Sequence, residues 1–281
     1  MSSSKIDYYA FTIPEDSSFS SRGEPTIEYV ISKFLAVTGK RSEWNMDRPT
    51  WSLESGGKNY AVRLRHDATD VALSFGSKNE HIYVELAGRA CDAYESVDAL
   101  VPLVTSTAER ASRIDVATDF ETSVTPEEFS DCRNKLKWKH RPVYPSDSGT
   151  TCYVGSRSSE RMARVYRYNP PHPRSHLLRI ETEYKGKAAK SVAYVVGVHS
   201  PSVLAARTNA IFSWSHPLWA ELGEVGTPIK YKGYRPTNAA TVLWLYGDVA
   251  KAVRKGIAGG YLEWDEWVAH IFRKEDRDAP E

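Results

Sequence analysis

Apolar and polar residues alternate along most of the chain before residue 200. Short β-rich runs separated by polar turns recur at residues 6–13, 60–65, 70–75, 81–87, 113–120, 150–154, 163–167 and 178–184. Runs joined by short turns pair as antiparallel neighbours. Helical patterns lie between them, including an apolar stripe at residues 27–35. The pattern therefore predicts an α+β fold with a central, mainly antiparallel β-sheet flanked by helices.

The strongest helix start is Thr125-Pro126-Glu127-Glu128, which combines a hydroxyl cap, an early Pro and a Glu three residues after the cap. We expect this helix to run to Arg141. Trp44 and Trp51 are expected to flank a loop that contains Pro49. After residue 198 the pattern is mainly helical, with apolar stripes at residues 242–253 and 262–271. We predict a sheet-bearing domain over residues 1–198 and a helical region over residues 199–281.

Composition narrows the class of protein. The chain is 41% hydrophobic and 26% charged with a net charge of +1, which is typical of a globular protein. No stretch approaches the ~20 apolar residues of a membrane span, so we expect no membrane partner. Three widely spaced cysteines (Cys91, Cys132, Cys152) argue against a disulfide framework and indicate a reducing, cytoplasmic location.

Charge is concentrated in one stretch. Between residues 157 and 190, nine basic residues accompany three acidic ones. Alternation places Glu181 and Glu183 on one face of a strand, and Asp115 lies in another strand, where an acidic residue needs a partner. Neighbouring carboxylates require a cation between them. That cation is either a metal ion that polarises a phosphodiester or a neighbouring arginine in a salt-bridged hairpin.

Two further patterns suit DNA, and each also has a purely structural alternative. Residues 132–141 carry five cations, no anion and Trp138, which fits a DNA backbone but also the end of a helix, where cations are favoured. Lys187, Lys190 and Tyr194 share one face of a predicted helix. Two ammonium groups near a phenol favour its phenolate, as a nucleophile needs, although a Tyr that anchors the helix by its ring has the same spacing.

Several common chemistries have no pattern here. There is no His-x-His pair, no phosphate-binding loop and no Rossmann fingerprint. His172 and His176 are four residues apart, but Pro171 and Pro173 disfavour a metal-binding helix at that position.

Four blocks in order resemble the Rep_trans family of plasmid and phage replication initiation factors. They are His81–Cys91 (HIYVELAGRAC), Arg113–Phe120 (RIDVATDF), Gly149–Ser159 (GTTCYVGSRSS) with Arg164-Val165-Tyr166, and Arg179–Lys185 (RIETEYK). Two departures stand out. Arg167-Tyr168 occupies the place of the family's Asp-Lys, and Ala90 replaces the second Gly of its Gly-x-Gly-Cys pattern.

The resemblance implies a rolling-circle replication initiator with a core like that of HUH or RRM proteins. Such a protein nicks one strand of an origin through a tyrosine and Mg²⁺ or Mn²⁺, and stays attached as a 5′-phosphotyrosine. On this basis we predict Asp115, Glu181 and Glu183 as metal ligands and Tyr194 as the nucleophile. Tyr194 is preferred to Tyr184, on the strand face opposite the two Glu, and to Tyr166 of the Arg-x-Tyr block. The predicted DNA-binding residues are Arg157, Arg161, Arg164, Lys185, Lys187, Lys190, Lys135, Lys137, Lys139 and Arg141.

The implied partners are origin DNA, partly single-stranded or cruciform, and a host helicase and polymerase. The C-terminal helices are expected to pack on the sheet, form a homodimer or contact DNA. The alternative is a module of the same fold that binds an origin or promoter without cutting. Only the nicking hypothesis requires a tyrosine within reach of the carboxylates.

Overall fold

The computed structural model describes residues 2–15, 26–38, 51–56, 59–78, 80–131, 140–142, 149–198, 203–205 and 210–222. These residues all belong to one compact unit, Met1–Tyr231, and Lys232–Glu281 forms a second unit. Within the described residues, ten strands form one sheet accompanied by helices, which confirms the predicted α+β fold. No helix in these ranges is long and apolar enough to cross a membrane.

The strands are β1 (Ser2–Pro14), β2 (Trp51–Ser55), β3 (Val62–His66), β4 (Val71–Phe75), β5 (His81–Ala87), β6 (Ala111–Glu121), β7 (His140–Pro142), β8 (Gly149–Val154), β9 (Arg161–Tyr168) and β10 (Leu177–Lys185). The α-helices are α1 (Ile27–Thr38), α2 (Arg89–Glu95), α3 (Leu100–Ser106), α4 (Pro126–Phe129) and α5 (Gly186–Val195). Short 3₁₀ helices lie at Ala108–Arg110, Val196–Val198, Ala210–Phe212 and Pro217–Leu222.

The two halves of the sheet repeat one connectivity. The strand order is β2-β3-β4-β5-β1-β6-β10-β9-β8-β7, and every neighbouring pair is antiparallel. In each half, the last strand of a four-stranded meander returns to the half's first strand: β5 pairs with β1, and β10 pairs with β6. A helix then begins beside a glycine with positive φ, Gly88 at 32° or Gly186 at 51°. The β1–β6 pair joins the halves at the centre.

The two faces of the sheet differ in chemistry. One face carries two apolar cores, the first around Tyr9, Leu73, Val84, Ile114 and Tyr184, and the second around Phe120, Val165, Ile180 and Trp214. Side chains alternate along a strand, so the residues between these point to the other side. We call that side the polar face, defined by Tyr8, Arg113, Asp115, Arg164, Tyr166, Glu181 and Glu183.

One local prediction is wrong, and one strand was not predicted. Residues 140–142 form strand β7, paired with β8, where the sequence predicted a helix reaching Arg141. Trp51, expected at the end of a loop, begins the unpredicted strand β2 and pairs with His66 of β3. Both are edge strands whose conformation is set by pairing with a distant segment, and local patterns do not contain that information. After residue 198, Leu204 and Ala205 pack in the first core, and Phe212 and Trp214 pack in the second.

Candidate active site on the polar face of the sheet

Strand register brings the three predicted carboxylates together. Glu183 of β10 lies opposite Asp115 of β6, and Glu181 lies opposite Arg164 of β9. Cross-strand neighbours project to the same side of a sheet, so all these side chains lie on the polar face. The three acids are almost fully buried, with 0%, 3% and 5% of Asp115, Glu181 and Glu183 exposed. Burial at this level requires that their charges be compensated.

Arginines supply much of that compensation. Arg113 donates from Nε and Nη2 to the two oxygens of Asp115 at 2.8 and 2.5 Å, and its Nη2 lies 2.8 Å from Glu183. Arg164 Nη2 bridges Asp115, at 3.3 Å, and Glu181. Lys185 Nζ lies 2.6 Å from Glu183. The cation between the carboxylates is therefore a guanidinium group, and three acidic groups are matched by three basic ones.

As arranged, this cluster does not fit a divalent metal ion. Each acid is in contact with a cation, so its charge is already compensated by an arginine or lysine side chain. Within the described residues there is no group of three or more His, Cys, Asp or Glu side chains that could hold a metal. Binding Mg²⁺ or Mn²⁺ here would require Arg113 or Arg164 to leave the acids. The metal therefore stays a prediction from the resemblance.

Burial makes Asp115 an unusual acid. Desolvation raises its pKa well above the ordinary range, and the charge of Glu181 raises it further, while the hydrogen bonds from Arg113 oppose the shift. A carboxyl group with a raised pKa holds a proton more readily than an exposed one.

Tyr166 is a tyrosine in direct contact with the cluster. Its hydroxyl donates a hydrogen bond to Glu181 Oε2 at 2.9 Å. Burial raises the pKa of Tyr166, and the charge of Glu181 adds to the increase, so the group is a phenol at neutral pH. As a nucleophile it would need a proton acceptor, and Glu181 is in position to be one.

Tyr194 lies elsewhere. It sits on α5, whose buried residues Ala189 and Val192 join the first apolar core together with Ile114 and Tyr184. Tyr194 itself is half-buried and packs against that core. The sheet therefore lies between Tyr194 and the carboxylates, and the structure does not bring them together. Tyr184 of β10 also packs in the first core, so its ring lies on the side of the sheet opposite Glu181 and Glu183.

The predicted DNA-binding residues fall into three groups. Arg157 lies in the exposed β8–β9 turn, where it donates to the Tyr153 hydroxyl at 2.6 Å, and Lys185 Nζ donates to the Arg157 carbonyl oxygen at 2.6 Å. Half-buried Arg161 begins β9 after this turn, and Lys187 and Lys190 are exposed on α5. Arg164 is bound to acids of the cluster. Lys135, Lys137 and Lys139 lie outside the described residues, as does the side chain of Arg141.

A second buried ion cluster continues the polar face along β10. Arg179 donates to Asp119 at 2.6 and 2.7 Å and to Asp7 at 3.0 Å. Neither Arg113, nor Tyr166, nor this cluster was among the site residues predicted from the sequence. Period-two alternation was a usable signal for Arg113, which is two residues before Asp115. The position of Tyr166 beside Glu181 depends on the β9–β10 register, which no local pattern reveals.

Comparison with solved structures shows a likeness of fold. No model of a known family matches the chain. No curated protein matches it either. A solved structure of a rolling circle replication initiator protein from Geobacillus stearothermophilus matches with a TM-score of 0.53 and 16% identity, covering 83% of this chain and 100% of that one. At this identity the likeness shows a shared fold.

Proposed function

We propose that this chain is a replication initiator that cuts and rejoins one DNA strand through Tyr166. The observation that carries the proposal is the Tyr166–Glu181 hydrogen bond at 2.9 Å beside a buried arginine–carboxylate cluster. The fold shared with a rolling circle initiator and the four sequence blocks support it. Tyr194, the nucleophile predicted from sequence, is the less favoured candidate because it packs on the other side of the sheet.

The residues suggest an order of events. Tyr166 Oη attacks the phosphorus and its proton passes to Glu181. The bond from phosphorus to the 3′ oxygen breaks, and that oxygen takes a proton from solvent. The products are a 3′-hydroxyl and a 5′-phosphotyrosine. A 3′-hydroxyl attacking the phosphotyrosine reverses the step without ATP.

Arg164 links proton transfer to charge stabilisation in this scheme. In the resting site its guanidinium is bound to Glu181 and Asp115. When Glu181 takes up the proton it loses its charge, so its attraction for Arg164 weakens. The guanidinium is then available to the negative charge that builds on the phosphate. No step in the scheme passes through a metal ion, and a role for Mg²⁺ or Mn²⁺ remains a prediction from the resemblance.

Origin DNA is the partner that this reaction requires. Arg157, Lys187 and Lys190 are exposed cations around the β8–β9 turn and α5, and we propose that they bind DNA phosphates. A host helicase, a polymerase and a homodimer are partners that the resemblance implies.

A nicking assay on supercoiled plasmid carrying the element's own origin tests the proposal. With Mn²⁺ present, the wild-type chain and Tyr194→Phe should convert the plasmid to open circles, and Tyr166→Phe should not. If Tyr194→Phe lost cutting and Tyr166→Phe kept it, Tyr194 on α5 would be the nucleophile instead.

A second function is favoured by one observation. Every acid of the cluster is in contact with a cation in the resting state, which is also what a purely structural network would show. The chain would then bind an origin or promoter without cutting. In the same assay, plasmid bound but uncut by every variant supports this function.

A further inference from the structure

The loop between β9 and β10 carries an exposed ring that the proposed reaction does not use. His172 stacks on Tyr168 with ring centroids 3.9 Å apart and an interplanar angle of 17°. The residue is exposed, whereas Tyr168 and Tyr166 are half-buried. One side of the imidazole is therefore covered by a tyrosine, and the exposed remainder is available to a ligand.

The loop holds this ring in a defined place. His172 Nδ1 accepts a hydrogen bond from the Arg174 N–H at 3.1 Å. The His172 N–H donates to the Asn169 carbonyl at 3.0 Å, and the Ser175 N–H donates to the His172 carbonyl at 2.9 Å. A planar group fixed before binding loses little conformational entropy when a ligand stacks on it.

Arg167 fastens the same loop to the body of the protein. Its guanidinium donates to three carbonyl oxygens: His176 at 3.0 Å, Thr122 at 2.6 Å and Val124 at 2.8 Å. This is the residue at which the chain departs from the family's Asp-Lys pattern. The departure places a guanidinium where it ties the β9–β10 loop to the segment after β6.

A series of aromatic contacts links His172 to the candidate nucleophile. Tyr168 meets Tyr166 edge-on at 5.3 Å, and their hydroxyl oxygens lie 3.4 Å apart. Because the Tyr166 hydroxyl donates to Glu181, the Tyr168 hydroxyl is the donor between the two tyrosines. His172 is thus two rings away from the atom proposed to attack DNA.

We propose that His172 is a stacking platform for an unpaired nucleobase of single-stranded DNA, next to the phosphate that Tyr166 attacks. Stacking on an aromatic ring suits any base because every base has a π-face, and in a duplex those faces are covered by neighbouring pairs. The platform therefore selects melted DNA rather than a base sequence. This inference rests on the proposed function.

Binding of two fluorescent oligonucleotides tests the platform. One is a twelve-residue thymidine strand and the other a twelve-residue abasic strand with the same phosphates. His172→Leu keeps the bulk of the side chain but not the aromatic ring, and should weaken binding to the thymidine strand about 5- to 100-fold. His172→Phe should stay within about threefold of the wild type. Neither variant should change binding to the abasic strand.

His176→Ala is the matched control, because His176 is exposed in the same loop; it should bind both strands like the wild type. Equal affinity of the wild type and His172→Leu for thymidine overturns the platform, and so does an equal loss on both strands. If the wild type cuts plasmid and His172→Leu binds the thymidine strand as tightly as the wild type does, the stacking role of His172 is contradicted and the proposed nicking function is not. A wild type that binds neither strand contradicts the proposed function and the platform together.

Discussion

Arg164 is the residue that binds two acids of the buried cluster at once. It bridges Asp115 and Glu181, which are 0% and 3% exposed. Removing one partner from a buried ion network leaves uncompensated charge and typically costs about 3–5 kcal/mol. We expect Arg164→Met to lower the free energy of unfolding by about that amount in urea denaturation.

Arg89→Met provides the comparison for Arg164→Met. Arg89 also binds a carboxylate, Asp70, at 2.7 Å, but its side chain is 66% exposed. Exposed pairs contribute little, so unfolding should be almost unchanged. If Arg164→Met and Arg89→Met lowered the free energy of unfolding by similar amounts, burial would not be the reason that the Arg164 ion pairs stabilise the fold.

Glu181 is predicted to accept the proton of Tyr166. Glu181→Gln keeps the size and a hydrogen-bonding oxygen but takes up no proton at neutral pH. General base catalysis contributes typically 10²–10⁴-fold, so the rate of covalent adduct formation should fall by about that factor. Single-turnover kinetics measures it, and DNA affinity should change only a few-fold. An unchanged rate would remove Glu181 from the reaction.

The limits of sequence reasoning at this scale are visible in the acids and Tyr194. Alternation correctly put Glu181 and Glu183 on one face, because period two is a local property of a strand. It could not choose between a metal ion and an arginine as their cation, because that choice depends on which strands pair. The side of the sheet on which α5 packs is equally non-local, so Tyr194 looked suitable from its helical spacing alone.

At the scale of elements, each returning strand ends at a glycine that starts a helix. Gly88 and Gly186 have φ of 32° and 51°, sparsely populated backbone conformations that cost residues with a Cβ about 1–3 kcal/mol. Gly186→Ala and Gly88→Ala should each destabilise the chain by about that amount in urea unfolding.

Comparing Gly186→Ala with Gly88→Ala also separates the cost of backbone strain from the cost of a steric contact with the added Cβ. A Cβ at Gly186 would meet Glu160 Oε1 at 3.3 Å, whereas a Cβ at Gly88 would meet nothing within 4 Å. The glutamate tip can move, so the two losses should be similar, and a much larger loss at Gly186 would assign the effect to the contact. No loss at either position would contradict the role of positive φ.

Elements with strong local signals were predictable, and elements created by pairing were not. The capping box at Thr125 forms as predicted, with reciprocal hydrogen bonds to Glu128 at 2.8 and 3.2 Å. The three residues of β7 are a strand only because β8 lies beside them.

At the largest scale, the two similar halves of the sheet share one polar face. The first half has its own tyrosine–carboxylate contact, in which Tyr8 donates to Glu85 at 2.5 Å and Arg63 binds the same acid at 2.7 Å. Tyr8 lies opposite Asp115 in the β1–β6 pair, and the Arg113 guanidinium sits 4.2 Å from its ring centroid, a contact that Phe would keep. Its hydroxyl, however, is bound to Glu85, which has Arg63 as its own cation partner. We expect Tyr8→Phe to cut DNA like the wild type, which makes it the matched control for Tyr166→Phe.

The most direct test of the proposed reaction is to find which tyrosine carries the DNA. The chain is reacted with supercoiled origin DNA, digested with nuclease and trypsin, and analysed by mass spectrometry. We predict a nucleotide on the tryptic peptide Val165–Arg167, lost in Tyr166→Phe and kept in Tyr8→Phe and Tyr194→Phe. A nucleotide on the peptide Ser191–Arg207, which contains Tyr194, or an adduct that persists in Tyr166→Phe, would contradict the assignment of Tyr166 as the nucleophile.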